Sequence, residues 1–431
     1  MTRIIGPDDM EAISLGGAFL GTGGGGDPYI GKLMARAMMT EHGPVKVVDA
    51  ADVPDDALCV PVCMMGAPTV MVEKLPNGDE ALAALRALEA YLGRKADFLI
   101  CIEAGGLNST IPFAVAAATG LPLIDGDGMG RAFPELQMVS LTLHDISATP
   151  MVIADDKGNT GVLNAVSNQW TERLARAATV EMGGAALVAL YPMSGLQMKQ
   201  GLLHGTLSLI HDIGRTILTE RAANRHPAAA LINMRGGFDL CTARVLDIER
   251  KTTGGFARGR ARLRGMDEDA GREFILSFQN EFLCLEDDEG QPLALTPDLI
   301  CALDADGGLP VTTENLRFGL AIRLIGLPAD PQWRSVGGLA LAGPAYFGYP
   351  HPFQPLEELV QARQPTKKTT QHGGYKMKKL LCATALAGTL ALGPPCPPLP
   401  RTRSRSPSIW CRSSAASIQP RSAIIPNTWR R

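Results

Sequence analysis

The stretch Gly21-Thr22-Gly23-Gly24-Gly25-Gly26-Asp27-Pro28 constrains the fold of this chain more than any other. Ordering four consecutive glycines is entropically costly, so a folded domain keeps them where backbone must come close to another group. Bare peptide N–H groups in such a loop suit an anionic or polar ligand. That makes Gly23, Gly24, Gly25, Gly26 and Asp27 candidate substrate-binding residues. The spacing Gly21-x-Gly23-x-x-Gly26 also matches the dinucleotide fingerprint, but the fingerprint must follow a strand and open a helix. Here Asp8 to Leu20 reads as a helix, with Met10, Ile13, Leu15, Ala18 and Phe19 on its apolar face. A second helix is expected from about Pro28 to Met39, with Asp27 as its cap. No NAD is therefore expected. The alternative is a plain helix–loop–helix connection.

Beyond the loop, strand-like runs alternate with helices: Val45–Asp49, Leu58–Met65, Asp97–Ile102 and Leu121–Ile124 as strands, Asp79–Leu92 and Thr110–Thr119 as helices. Pro61 suggests that Leu58–Met65 lies at an edge or carries an irregularity. Leu141–Asp145 and Met151–Ala154 read as further strands. This rhythm predicts an α/β domain with a largely parallel sheet over residues 1–165. Over 166–360 a helix from Ser194 to about Ala223 precedes short strands at Asp239–Ile248, Phe256–Arg264, Glu273–Leu285 and Leu316–Ile325, predicting a β-rich second domain. Arg258, Arg260, Arg262 and Arg264 alternate on one strand, as a solvated face or as an anchor for a carboxylate.

Ligands of open α/β sheets bind outside the carboxyl ends of the strands. Two acidic, glycine-rich loops fall there: Glu103 follows one strand, and Asp125 with Asp127 follows the next. Crowded carboxylates yield a general acid or base, or recruit a cation. Glu103, Asp127 and Asp125 are thus the candidate catalytic residues, with capping of turns as the other reading. His204 and His211 lie two turns apart on one helix face. Either could join the carboxylates around a divalent metal such as zinc. Cys101 sits inside an apolar strand and is a poor nucleophile.

From about Thr366 the composition changes. Met377-Lys378-Lys379 precedes an apolar run to Gly393 that fits a secretory signal, and the text then turns Pro-, Arg- and Ser-rich. We expect 361–431 to be a linker and disordered tail, produced by read-through into a neighbouring reading frame. The chain holds 41 basic and 44 acidic residues, and 12 of the basic ones lie in 366–431, where no acid occurs. The body is left with 29 against 44, a formal charge of −15 that argues against nucleic acid as partner. The nine cysteines show no CxxC spacing and the start is no signal peptide, which suits a cytoplasmic protein with a small-molecule substrate and no membrane.

Four segments together resemble the S-methyl-thiohydantoin desulfurase family. They are Leu20–Pro28, Glu103-Ala104-Gly105-Gly106-Leu107-Asn108, Asp125 to Glu135, and Gly343-Pro344-Ala345-Tyr346-Phe347-Gly348-Tyr349. The resemblance runs over roughly residues 5–360 and stops before the tail. It implies an N-terminal α/β domain, a β-rich C-terminal domain, and hydrolytic removal of sulfur from a thiohydantoin ring. On that reading Glu103 or Asp127 activates water, the glycine N–H groups hold developing charge, and Asn108 orients the ring. Two other readings stay open, a hydantoin-type cyclic amide hydrolase and an accessory or binding subunit of a hydantoinase-like or oxoprolinase-like partner, and the chain is expected either with such a partner or as a homo-oligomer. Pro350-His351-Pro352 departs from the more acidic text expected there.

Overall fold

The computed structural model describes residues 2–66, 70 and 78–363. The tail from 364 onward, with its read-through expectation, lies outside the described residues.

The first sheet is mixed, with a parallel centre. Val45–Val48, Leu123–Ile124, Phe98–Ile100 and Leu58–Gly66 run side by side and parallel. Arg3–Ile5 adds antiparallel at one edge, and Ala185–Ala189, Met151–Ala154 and Thr160–Leu163 add antiparallel beyond Leu58–Gly66. Strands covered on both faces are apolar throughout, and seven successive residues of Leu58–Gly66 are buried. Pro61 does not mark an edge. Leu58–Gly66 is central, pairing parallel through Cys59–Pro61 and antiparallel through Val62–Gly66. Pro61, lacking an N–H, stands where the strand changes partners, and its carbonyl accepts from Leu190 N–H.

The first helix is Met10–Leu20, entered by a turn at Pro7–Asp9, and the next is Tyr29–His42. Leu141–Asp145 is not a strand: Ser140–Leu143 forms one helical turn. The long helix expected from Ser194 is two. Ser194 caps only Gly195–Gly201, through a reciprocal box with Gln197. The chain then extends through Leu203–His204, turns at Gly205 (φ +76°), and starts Thr206–Ala222. That helix crosses Met10–Leu20 closely. A Cβ on Gly16 would lie 1.8 Å from the Ile210 carbonyl oxygen, and one on Gly214 1.7 Å from that of Ala12. Only glycine fits at that crossing, which locks a helix of the second half onto the first domain.

The second sheet is an antiparallel, seven-stranded half-barrel. Its strands are Phe238–Thr253, Phe256–Gly265, Glu273–Gln279, Glu281–Asp287, Pro292–Leu295, Leu299–Asp304 and Ala321–Leu327. Glu273–Leu285, read as one strand, is broken at Asn280, whose φ of 57° makes a tight reversal. The arginine stripe is a solvated face, where Arg260 pairs with Glu249 and Arg264 with Glu273. The half-barrel has an apolar core of its own, while Leu299, Cys301, Leu303, Ile325 and Leu327 from two of its strands join the core of the first sheet and its helices.

Candidate functional site

A cavity opens outside the carboxyl ends of Leu58–Gly66 and Phe98–Ile100, between the first sheet and the half-barrel. A water-sized sphere can be centred over about 60 Å³ of it. That exceeds the roughly 10–15 Å³ a single water needs, so the cavity can take a small molecule. Its walls include Gly25, Cys63 to Gly66, Glu103, Asn108, Met129, Phe133 to Leu136, Arg176, Asn280 and Glu281.

Glu103 is a strongly perturbed carboxyl of this cavity. The side chain is buried, and Oε1 accepts a 2.7 Å hydrogen bond from Asn108 Nδ2. Oε2 has no hydrogen bond of full geometry; the Phe133 peptide N–H is a weak donor to the carboxylate. Burial is the main cause that pushes Glu103 up to about 8; Asn108 opposes it, and the charge of Asp127 adds to it. At neutral pH Glu103 therefore carries a proton. Asn108 is itself held at both ends, accepting from Met64 N–H at 2.7 Å and donating to Met64 O at 3.1 Å. One amide thus ties the acid to the central strand.

Glu281 faces the same cavity from the half-barrel. It is raised well above the usual carboxyl range by burial and next by Glu103, with Arg131 opposing. Its Oε1 accepts from Gly25 N–H at 3.2 Å, and its Oε2 is buried without a partner. Arg131, fully buried, supplies the nearby cation. It donates to Thr22 Oγ1 at 2.9 Å, Pro297 O at 2.7 Å, Asp298 O at 3.1 Å and Ala132 O at 3.0 Å. Burial lowers it to about 10, with the charge of Glu281 opposing. Its guanidinium lies 4.4 Å over the Phe133 ring, which packs edge-on against Trp333. One wall of the cavity is built this way.

The glycine loop reaches this site mainly as packing. Thr22 O accepts from Phe282 N–H, Gly23 O from Thr313 N–H, and Gly25 O from Leu107 N–H. A Cβ on Gly23 would sit 2.4 Å from the Phe282 ring, and one on Gly24 2.0 Å from Glu281 Oε1. The run is glycine because three backbones and two side chains converge on it. Of the five loop candidates only Gly25 lines the cavity, and its N–H goes to Glu281. Asp27 Oδ1 accepts from Tyr29 N–H, but the helix starts at Tyr29 and its N-cap position is Pro28 rather than Asp27.

The three acidic candidates do not share one crevice; of them, only Glu103 lines the cavity. Asp127 is fully buried, and its Oδ2 accepts from the N–H groups of Ala104, Met129 and Gly130 at 2.7, 3.1 and 2.8 Å. It clamps the two acidic loops to each other. Burial raises it to about 6, held down by those N–H groups. Asp125 turns the other way and accepts from Ser208 N–H and Oγ–H in the first turn of Thr206–Ala222. His204 is exposed, beside Gly126. His211 pairs with Asp9 at 3.3 Å and sits 3.6 Å from Asp212. Among the described residues neither histidine joins the carboxylates in a group of three closely spaced ligating side chains, so the donor set expected for a metal here is not brought together. Glu281 and Arg131 were not among the residues singled out from sequence. The clue was an acidic residue beside Asn280 inside an apolar run, where an αL-tolerant Asn signals a reversal.

A profile of the S-Me-THD-like N-terminal domain matches residues 8–165, and one of the C-terminal domain matches residues 166–356. No curated protein matches. A crystal structure of a protein from Chromobacterium violaceum is similar in sequence and fold. It is 26% identical, with a TM-score of 0.65, over 82% of this chain and 100% of that one.

Proposed function

The chain belongs to the S-Me-THD-like family, and from that premise we propose that it is a hydrolase that removes sulfur from an S-alkyl thiohydantoin, with Glu103 as its proton donor and acceptor. One observation carries the reading: a buried carboxyl, pushed up to about 8, lines a small cavity with one oxygen left without a full hydrogen bond.

The chemistry balances around that one group. The protonated Glu103 gives its proton to the ring nitrogen next to the carbon bearing sulfur, which makes that carbon electrophilic. Water attacks, and the Glu103 carboxylate takes the proton that water loses. The C–S bond then breaks with its electron pair on sulfur, which takes the proton, so a thiol leaves and the ring keeps a carbonyl. The hydroxyl left by the water gives its proton to Glu103 as it becomes the carbonyl, so Glu103 ends protonated and the ring nitrogen keeps the proton it received. Arg131 stabilises the transient carboxylate. Glu281, oriented by Gly25 N–H, offers its free oxygen to the ring's polar edge. Cys63 also lines the cavity, but burial raises its thiol far above neutrality, so attack by a thiolate is disfavoured. No divalent cation is needed in this scheme, and among the described residues the only trio of closely spaced metal-ligating side chains lies elsewhere.

The test is turnover of S-methyl thiohydantoins by the full chain, followed as thiol release across pH. The rate should fall as pH rises through about 8, where Glu103 loses its proton. Glu103→Gln should lose about 10²–10⁴-fold. Turnover retained in that variant would end the proposal. Tight co-purification with a hydantoinase-like enzyme and no turnover would favour the accessory reading.

A further inference from the structure

The departure at Pro350-His351-Pro352 finds a partner in the half-barrel. Cys284 and Glu286 are two apart on Glu281–Asp287 and so point to one face. Cys284 is fully buried. The chain reaches it through the turn Pro344–Phe347 and a left-handed residue at Gly348 (φ +79°). Past that turn, His351 Nε2 stands 2.6 Å from Glu286 Oε1. Tyr349 is close enough to feel the charges of Cys284 and Glu286, and is held by Ser277, the cross-strand neighbour of Cys284. The ligand atoms of Cys284, Glu286 and His351 all lie within 4.8 Å of one another.

We propose that Cys284, Glu286 and His351 form a binding site for one thiophilic divalent cation of the zinc class, which clasps the 344–353 segment to the half-barrel. Thiolate, imidazole and carboxylate are the donor types that zinc takes, at about 2.3 Å to sulfur and 2.0–2.2 Å to nitrogen or oxygen. Those bonds put the donors roughly 3.3–3.7 Å apart in a tetrahedron. The trio must therefore draw in by about 1 Å at most on the sulfur side, and Glu286 and His351 must part slightly. Both can do so, because their side chains are about one-fifth exposed while Cys284 is fully buried. The same exposure leaves the fourth position to solvent. On binding, the Cys284 thiol proton goes to solvent and its sulfur lone pair to the metal. The thiolate and carboxylate then cancel the charge of the ion. A thiolate with an imidazole selects against magnesium and calcium. A nucleophilic role fits worse, since Cys284 is sealed from solvent and its thiol is pushed up by burial and by Glu286.

The clasp touches the cavity at second hand. Tyr346 OH, at the start of the same segment, donates to Glu135 Oε2 at 2.7 Å, and Glu135 lines the cavity. The proposal does not depend on the reaction proposed above.

Stripping the full chain of metal and titrating it with Co²⁺ alone tests this. A thiolate-to-cobalt charge-transfer band and tetrahedral visible bands should saturate near one equivalent, vanish on adding Zn²⁺, and survive Glu103→Gln. Cys284→Ser should abolish the charge-transfer band with far-UV circular dichroism unchanged. His351→Gln, at a partly exposed position, should weaken Co²⁺ binding at least tenfold and decides the matter if Cys284→Ser does not fold. Absence of a charge-transfer band in the wild-type chain, or its persistence in Cys284→Ser, would overturn the site, as would unchanged affinity in His351→Gln.

Discussion

Replacing Glu103 by glutamine should stabilise the protein at neutral pH while disabling it, and the stabilisation has a calculable pH dependence. Glu103 has an ordinary value of 4.5 and rises to about 8 in the folded chain, chiefly through burial. Between those values the folded state keeps a proton that the unfolded state has released. Stability from this group is thus fully present below pH 4.5 and is lost as pH rises through about 8. Each pH unit in that window is worth about 1.4 kcal/mol, which sets a ceiling near 5 kcal/mol. Glutamine does not titrate, and its carbonyl oxygen can still accept from Asn108. The stability of Glu103→Gln relative to wild type should therefore be about 3 kcal/mol greater at pH 7.5 than at pH 5. Urea unfolding of both proteins at the two pH values measures this directly. An offset that stays within about 1 kcal/mol across them would refute the argument that Glu103 is buried as a neutral acid.

Two other substitutions probe the supports of the cavity. Arg131→Leu leaves Thr22 Oγ1 and the carbonyls of Pro297, Asp298 and Ala132 without their donor, and denaturant midpoints should report a loss of about 3–5 kcal/mol. Arg131→Lys should not recover it, because one ammonium cannot span acceptors arranged around a planar fork. Gly24→Ala places a methyl 2.0 Å from Glu281 Oε1. It should cost about 1–3 kcal/mol and drive Glu281 off the Gly25 N–H, with turnover falling at least tenfold; unaltered turnover would show that the orientation of Glu281 does not matter.

The layout of the fold was legible because burial leaves a periodic trace. Apolar runs marked Leu58–Met65, Asp97–Ile102 and Leu121–Ile124 as strands, and short strands separated by Gly- and Asp-rich turns marked the second domain as β-rich. Local chemistry misled where a short run could satisfy either period, as at Ser140–Leu143, or where one residue broke an element, as at Gly205 and Asn280. A helix and a strand of the second half dock onto the first domain through Gly16, Gly214 and the Ala185–Ala189 pairing, and no local signal announces such partners.

The candidate site divides along the same line. By itself the sequence marked Glu103 and the glycine loop, since each sits at a strand end or in a backbone-rich turn where ligand chemistry concentrates, and the family resemblance added Asn108. It also grouped Asp125 and Asp127 with Glu103, because adjacency along the chain cannot tell which way a carboxylate turns. Only the tertiary structure decided that Asp127 spends its charge on three peptide N–H groups and Asp125 on a helix start. It alone brought Glu281 from 178 positions away to face Glu103, and it gave the glycines a second purpose as the thin layer between two domains. Proton affinity depends on desolvation and on neighbours across the fold, and neither is written in the residues on either side.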